Sequence, residues 1–222
     1  IELQGWRVVQ RLDRSTARAH SAVPERADAQ LVAIGAGAIG SNVVMNTART
    51  GIGAWTIIDD DVVLPHNTVR QSYGDAWVGA PKAHALADQV NHLFVEADAT
   101  ATRADVLRME PHADKLALAD LVVDFSASPA VVAHLSDRQD IKRAASIFFS
   151  PDGADLVILA EDARRTTRLD EIEAQYFLAT ATAPGLAGHL DAARIDRIRY
   201  ANACQDLTRP LPPWQVQTLC GI

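Results

Sequence analysis

The stretch "VAIGAGAIGSN", residues 32–42, is the key to the architecture. Three glycines, Gly35, Gly37 and Gly40, stand between an apolar run and a segment of helical character. In a G-x-G-x-x-G turn the first glycine permits the tight bend and the second lets phosphate or sugar approach bare backbone. The third lets the helix pack close to the strand. The helix N-terminus then offers free N–H groups and a positive dipole end to an anion. Alone the motif is a weak sign, and its position after a strand and before a helix strengthens it.

On either side of the glycines, "AQLVAIG" (29–35) reads as a buried parallel strand and "AIGSNVVMNTARTG" (38–51) as a helix closed by Gly51. "AWTIID" (54–59) is a second buried strand that runs into the acidic cluster 59–61. Strand, turn, helix and strand make a right-handed βαβ unit. The segment 62–81 is too rich in Pro, Gly and Asn for one regular element. Beyond it, 82–94 has helical spacing, "VEADATAT" (95–102) holds a third strand, and "ADLVVDFS" (119–126) is a buried strand ending in Asp124. "SPAVVAHLSDRQ" (128–139) is a helix with Ser128 at the N-cap and Pro129 at its first position. Two more strands, in 144–150 and 154–160, flank the turn "PDG". The pattern predicts an α/β fold, a Rossmann-like doubly wound and mainly parallel sheet with helices on both faces. It divides into an arm or helix over 1–28, a nucleotide-binding core over 29–160 and an extension of the same domain over 161–222. In that extension "TATAPGLAG" (180–188) looks flexible.

The 222 residues suit a single domain, and 48% hydrophobic residues fill a substantial core. A net charge of −7 and the absence of a basic stripe argue against nucleic acid as a partner. No apolar run reaches the roughly 20 residues of a membrane helix. Two cysteines without C-x-x-C spacing exclude a four-cysteine zinc site and, with no signal peptide, fit the reducing cytoplasm. The chain starts at Ile1, as a piece of a longer polypeptide does.

An acidic residue about 20 positions past the glycines is the ribose ligand of dinucleotide sites. Asp59 stands 19 past Gly40, so an NAD site fits to this point. The residues beyond it redirect the reading. After the glycines come Asp59 and Asp61 at the end of a strand, then Asn67, Arg70 and Gln71 as N-x-x-R-Q, Lys82 at a helix start, and Asp124 at a strand end. In that order, over about residues 30–150, the chain resembles the ThiF/MoeB/ubiquitin-activating superfamily, which adenylates C-terminal carboxylates.

The resemblance implies ATP and Mg2+ as cofactors and a ubiquitin-like protein, sulfur-carrier protein or peptide as acceptor. It also implies a homodimer. Adenylation sets a weak carboxylate nucleophile against the α-phosphate of ATP, so rate comes from alignment and charge neutralisation. Arg70 would fork onto phosphate oxygens, Lys82 would supply a point charge and Asp124 would hold magnesium. Asp59 would accept from the ribose hydroxyls, with Asp61 bracing the loop. Asn67 and Gln71 would position the triphosphate and that loop. Among members with a thioester step, a cysteine takes the acyl group. Cys204 follows the arginine-rich "ARIDRIRYANAC" (193–204), where cations favour thiolate, and Cys220 is the poorer choice. The family's arginine in R-Y-x-R-Q is missing, leaving Arg11 or Arg14 to reach the phosphates. The C-x-x-C pairs of the sulfur-transfer branch are missing too, which favours a divergent bacterial relative. An NAD(P)-dependent oxidoreductase and a non-catalytic scaffold subunit remain the alternatives.

Overall fold

A computed structural model describes residues 11–23, 28–96, 98–109, 113–189, 198–199, 207–208 and 211–221. Strand β1, Gln30–Ile34, sits in the middle of a six-stranded sheet. It is apolar from Leu31 onward because both faces are covered. Leu31 and Ala33 point into one core, Val32 and Ile34 into the other. β2 (Ala54–Ile58) and β3 (Thr100–Thr102) lie on one side of it. β4 (Leu121–Asp124), β5 (Ala144–Phe149) and β6 (Leu156–Ala160) lie on the other. The order is β3-β2-β1-β4-β5-β6, parallel through β5, with β6 antiparallel after the 150–155 turn.

Helix α1 (Arg14–His20) precedes the sheet. α2 (Ala38–Arg49) and α3 (Lys82–Asn91) cover one face, where Val44, Met45, Leu86 and Val90 meet Trp55 and Ile57. α4 (Ala113–Leu118), α5 (Pro129–Asp137) and α6 (Leu169–Thr182) cover the other, with Leu116, Val132, Leu135 and Leu169 buried there. α7 (Pro213–Cys220) returns to the first face through Val216. This is the doubly wound arrangement with helices on both faces that the pattern predicted. Ser128 holds the N-cap of α5 and Pro129 its first turn, although the Ser128 side chain makes no capping bond. The 180–188 stretch, expected to be flexible, instead completes α6 and continues as a 3₁₀ helix, Pro184–His189. α4, a short helix, carried no pattern that singled it out. Among the described residues no helix is long and apolar enough to cross a membrane.

Register fixes the working edge of the sheet. Ile34 pairs with Ile58 and with Asp124, and Asp124 pairs with Ser146, so the carboxyl ends of β1, β2, β4 and β5 form one rim. Arg11 and Arg14 are held at the other edge. Arg11 donates to the Phe94 carbonyl at 2.8 Å and Arg14 pairs with Asp98, both just before β3. Neither reaches the glycine turn within this chain.

The same distal edge carries a buried ion pair. Glu161, fully buried, accepts from Arg165 Nε at 2.5 Å and Nη2 at 2.9 Å, and from the backbone of Ala144 and Leu169. Arg165 also donates to the carbonyls of Leu135, Arg138 and Ile141. The pair joins β5, the end of α5 and the start of α6, and each charge is fully hydrogen-bonded. Arg165→Met strands a buried carboxylate and is expected to cost about 3–5 kcal/mol. The measurement is a lower urea midpoint at unchanged slope.

Candidate functional site

At the rim, each glycine of the turn meets a different constraint. Gly35 has φ +94°, a left-handed value that disfavours side chains. A Cβ on Gly40 would lie 2.0 Å from the Gly35 carbonyl oxygen, which is how closely α2 approaches β1. A Cβ on Gly37 would meet no atom within 4 Å, because Gly37, the N-cap of α2, faces open space.

That space is a cavity of about 270 Å³. Gly35, Gly37, Asp59, Asp60, Asp61, Lys82, Asp105 and Ser126 give it a polar side. Ile34, Ile58, Val106 and Val131 give it an apolar wall. Asp59 Oδ2 accepts from the Ala36 N–H at 2.6 Å and Oδ1 from the Asp61 N–H at 2.8 Å. Burial raises the Asp59 carboxyl above its ordinary range, against the pull of Lys82 and of those two amides. Lys82, almost fully buried, donates from Nζ to Asp61 Oδ2 at 2.7 Å and from its backbone to the Asp61 carbonyl at 2.9 Å. A lysine at the first position of a helix opposes the dipole. Asp61 compensates that charge in the structure.

Of the three groups expected around one triphosphate, Lys82 alone lines this cavity. Asp124 is outside the lining, immediately before the lining residues Phe125 and Ser126 in the chain, and is fully buried. Its Oδ1 accepts from the Ser126 N–H at 2.9 Å and hydroxyl at 2.6 Å, and its Oδ2 from the Ser146 hydroxyl at 3.0 Å. Burial raises this carboxyl, and the three donors partly offset the rise. Arg70 caps the 3₁₀ helix Pro65–Val69 outside the lining. Its carbonyl accepts from Asn42 Nδ2 at 2.9 Å and so anchors the loop to the first turns of α2. Asn67, buried, shapes the same loop. Its Oδ1 accepts from the Leu64 N–H, and its carbonyl accepts from the Arg70 and Gln71 amides. Gln71 Oε1 is buried and has no hydrogen-bond partner among the described residues.

The lining thus carries four carboxylates and one ammonium among the described residues, an acidic balance that sequence order concealed. Asp105, Ser126 and the apolar wall were not singled out in the sequence. Asp-x-Ser in "DFS" carried a local signal, since Asx turns place an acceptor against the second residue on. The wall residues carried none, because they share the periodicity of the core. Among the described residues no three His, Cys, Asp or Glu side chains gather with metal-site geometry. Cys204 lies outside the described residues. Cys220 is buried in α7, and burial pushes its thiol up to about 11, which keeps it protonated at neutral pH.

Residues 25–170 match the ThiF family. The uncharacterized protein y4qC of Sinorhizobium fredii is 33% identical over 135 residues, 55% of this chain and 23% of that protein. The SAMP-activating enzyme E1 of Haloferax volcanii is 35% identical over 98 residues, 44% of this chain and 36% of the enzyme. This chain therefore spans about a quarter to a third of the length of these curated relatives. A crystal structure of tRNA N6-threonylcarbamoyladenosine dehydratase, TcdA, from Escherichia coli superposes with a TM-score of 0.51 at 27% identity. The match covers 64% of this chain and 60% of that one.

The geometry of the glycines and of Asp124 generates two expectations. Gly37→Ala keeps wild-type stability within about 0.5 kcal/mol, whereas Gly40→Ala overpacks the strand–helix junction and costs about 3 kcal/mol; thermal unfolding separates them. Asp124→Asn tests the raised carboxyl. The folded wild type binds that proton more tightly than the unfolded chain does. It therefore loses stability as pH rises from the unfolded aspartate value of about 3.9 through the higher folded one. Asn has no proton to lose there. The stability of Asp124→Asn relative to wild type should rise across that window and then stay level to pH 7, in urea titrations at successive pH values.

Proposed function

The chain belongs to the ThiF family, and on that footing we propose that it is an ATP- and Mg2+-dependent adenylyltransferase. Its acceptor would be the C-terminal carboxylate of a ubiquitin-like protein, a sulfur-carrier protein or a peptide. The observation that carries this reading is one cavity shared by the open face of Gly37, the Asp59 carboxylate and the Lys82 ammonium. An E1-type activating enzyme among the relatives supports it.

In this reading the apolar wall takes the adenine. Each Asp59 oxygen keeps a lone pair beyond the one given to the backbone and accepts a ribose hydroxyl. The phosphates lie against Gly37 and the free amides that open α2. Lys82 exchanges Asp61 for a phosphate oxygen. Arg70 joins it through movement of the 62–81 loop, where Gln71 Oε1 still lacks a partner among the described residues. Magnesium, when bound, offsets the phosphate charge and the carboxylates of the lining. Asp124 would supply one protein ligand, enough for a metal that keeps waters and phosphate oxygens. An acceptor carboxylate oxygen then forms a bond to the α-phosphorus as the bond to pyrophosphate breaks. A later thioester on Cys204, with AMP leaving, and assembly as a homodimer in the cytoplasm belong to the same proposal.

The test is ligand-dependent unfolding together with pyrophosphate exchange. ATP–Mg2+ at 100 times its dissociation constant should stabilise the protein by about 2.7 kcal/mol, and NAD(P) should not. Exchange with a peptide acceptor ending in Gly-Gly should fall at least about 100-fold in Lys82→Ala. Stabilisation by NAD(P) alone would support the oxidoreductase, and ATP binding with no exchange for any acceptor would support the scaffold.

A further inference from the structure

Tyr73 was not among the residues that the sequence motifs picked out. It sits in the 62–81 loop, is 2% exposed, and packs its ring in the core beneath α2 and α3. Its hydroxyl stands 2.8 Å from the Ala36 carbonyl and 3.2 Å from the Lys82 carbonyl. Ala36 is the residue between Gly35 and Gly37, and Lys82 opens α3. A phenol has one proton, so the two carbonyls share it, with Ala36 the nearer acceptor.

These contacts close a ring. The Ala36 N–H donates to Asp59, and the Asp61 N–H donates to the other Asp59 oxygen. The Lys82 N–H donates to the Asp61 carbonyl. Tyr73 then bridges the carbonyl sides of the same two residues, Ala36 and Lys82. Each of the two residues is thus held at its N–H by the acidic strand end and at its carbonyl by the phenol. The loop brings Tyr73 there through the Ser72 N–H, which donates to the Ser41 hydroxyl at 3.0 Å inside α2.

We infer that Tyr73 is a positioning residue, whose hydroxyl sets the distance between the phosphate-facing glycine turn and the Lys82 ammonium. It touches no ligand, and acts through the two backbone segments that do. Burial and the neighbouring Asp59 charge raise the phenol above its ordinary range, so the donor is present at neutral pH. The inference rests on the nucleotide reading of the cavity for its effect on binding. Its effect on the backbone needs no ligand.

Tyr73→Phe keeps the ring and removes only the bridge. In the ligand-free protein, amide hydrogen exchange over 35–38 and 82–84 should quicken about tenfold, the equivalent of one lost buried hydrogen bond, while β4 and β5 stay protected. ATP–Mg2+ affinity, measured by calorimetry on folded protein, should weaken about tenfold. In a Lys82→Ala background the same change should add less than the roughly tenfold loss expected in the wild type, since the share of the effect carried by the ammonium is already gone. p-Aminophenylalanine at position 73, which restores a donor at the ring tip, should recover both readouts. Unchanged exchange in both segments overturns the inference. So does a variant that only lowers the melting temperature while exchange in those segments and affinity per folded molecule stay at wild-type values. So does a Tyr73→Phe chain that fails to fold where the p-aminophenylalanine chain folds, since the bridge would then serve the whole fold. Wild-type protein that binds no ATP removes the adenylation reading, and the exchange measurement still decides the role of Tyr73.

Discussion

Between Gly40 and the carbonyl of Gly35 there is room for a hydrogen atom and nothing larger. That approach presses the start of α2 against the end of β1 and turns its unpaired amides toward the rim of the sheet. The cavity exists because of it. Were α2 held off by one carbon, Gly37 would no longer open onto the space that Asp59 and Lys82 share. The left-handed bend at Gly35 and the Asp59 carboxylate behind Ala36 serve the same geometry from the strand side.

Around that junction the molecule buries charge in two ways. Glu161 and Arg165 neutralise each other at the far edge, with every donor directed to a carboxylate or a carbonyl. Asp124 at the near edge has no such partner, and Asp59 has the Lys82 charge nearby but takes its hydrogen bonds from backbone amides; burial raises both. A buried carboxylate with only neutral donors costs stability unless something cationic arrives. The two edges therefore differ: one buries a neutralised pair that joins three elements, the other buries carboxylates at a cost in stability.

Much of this was legible in the sequence. The strands of the central sheet announced themselves because a strand covered on both faces is continuously apolar, as Leu31 to Ile34 are. The three glycines and the lysine set against the helix dipole were visible because each violates a local preference. Arg70 and Asp124 were harder. Order along the chain places them near the rim, but burial and loop path decide which way a side chain faces, and neither is written in spacing. Tyr73 was hidden for a related reason: an aromatic in a loop reads as packing, and its hydroxyl gains meaning only when two distant carbonyls meet it. The acidic balance of the lining was likewise dispersed over 59–61 and 105.

One strand runs against the other five. Because β6 descends from the rim, α6 begins at the far edge and climbs back, so Pro184–His189 ends beside the 150–155 hairpin, with His189 against Asp155 at 3.1 Å. Had β6 run parallel, the chain would have been delivered to the opposite pole. Instead α6 and the 3₁₀ helix after it bring the chain to the same rim as the glycine turn. The reversal of a single edge strand thus decides which rim α6 returns to, and sets Pro184–His189 a sheet's width from the cavity and not a sheet's height.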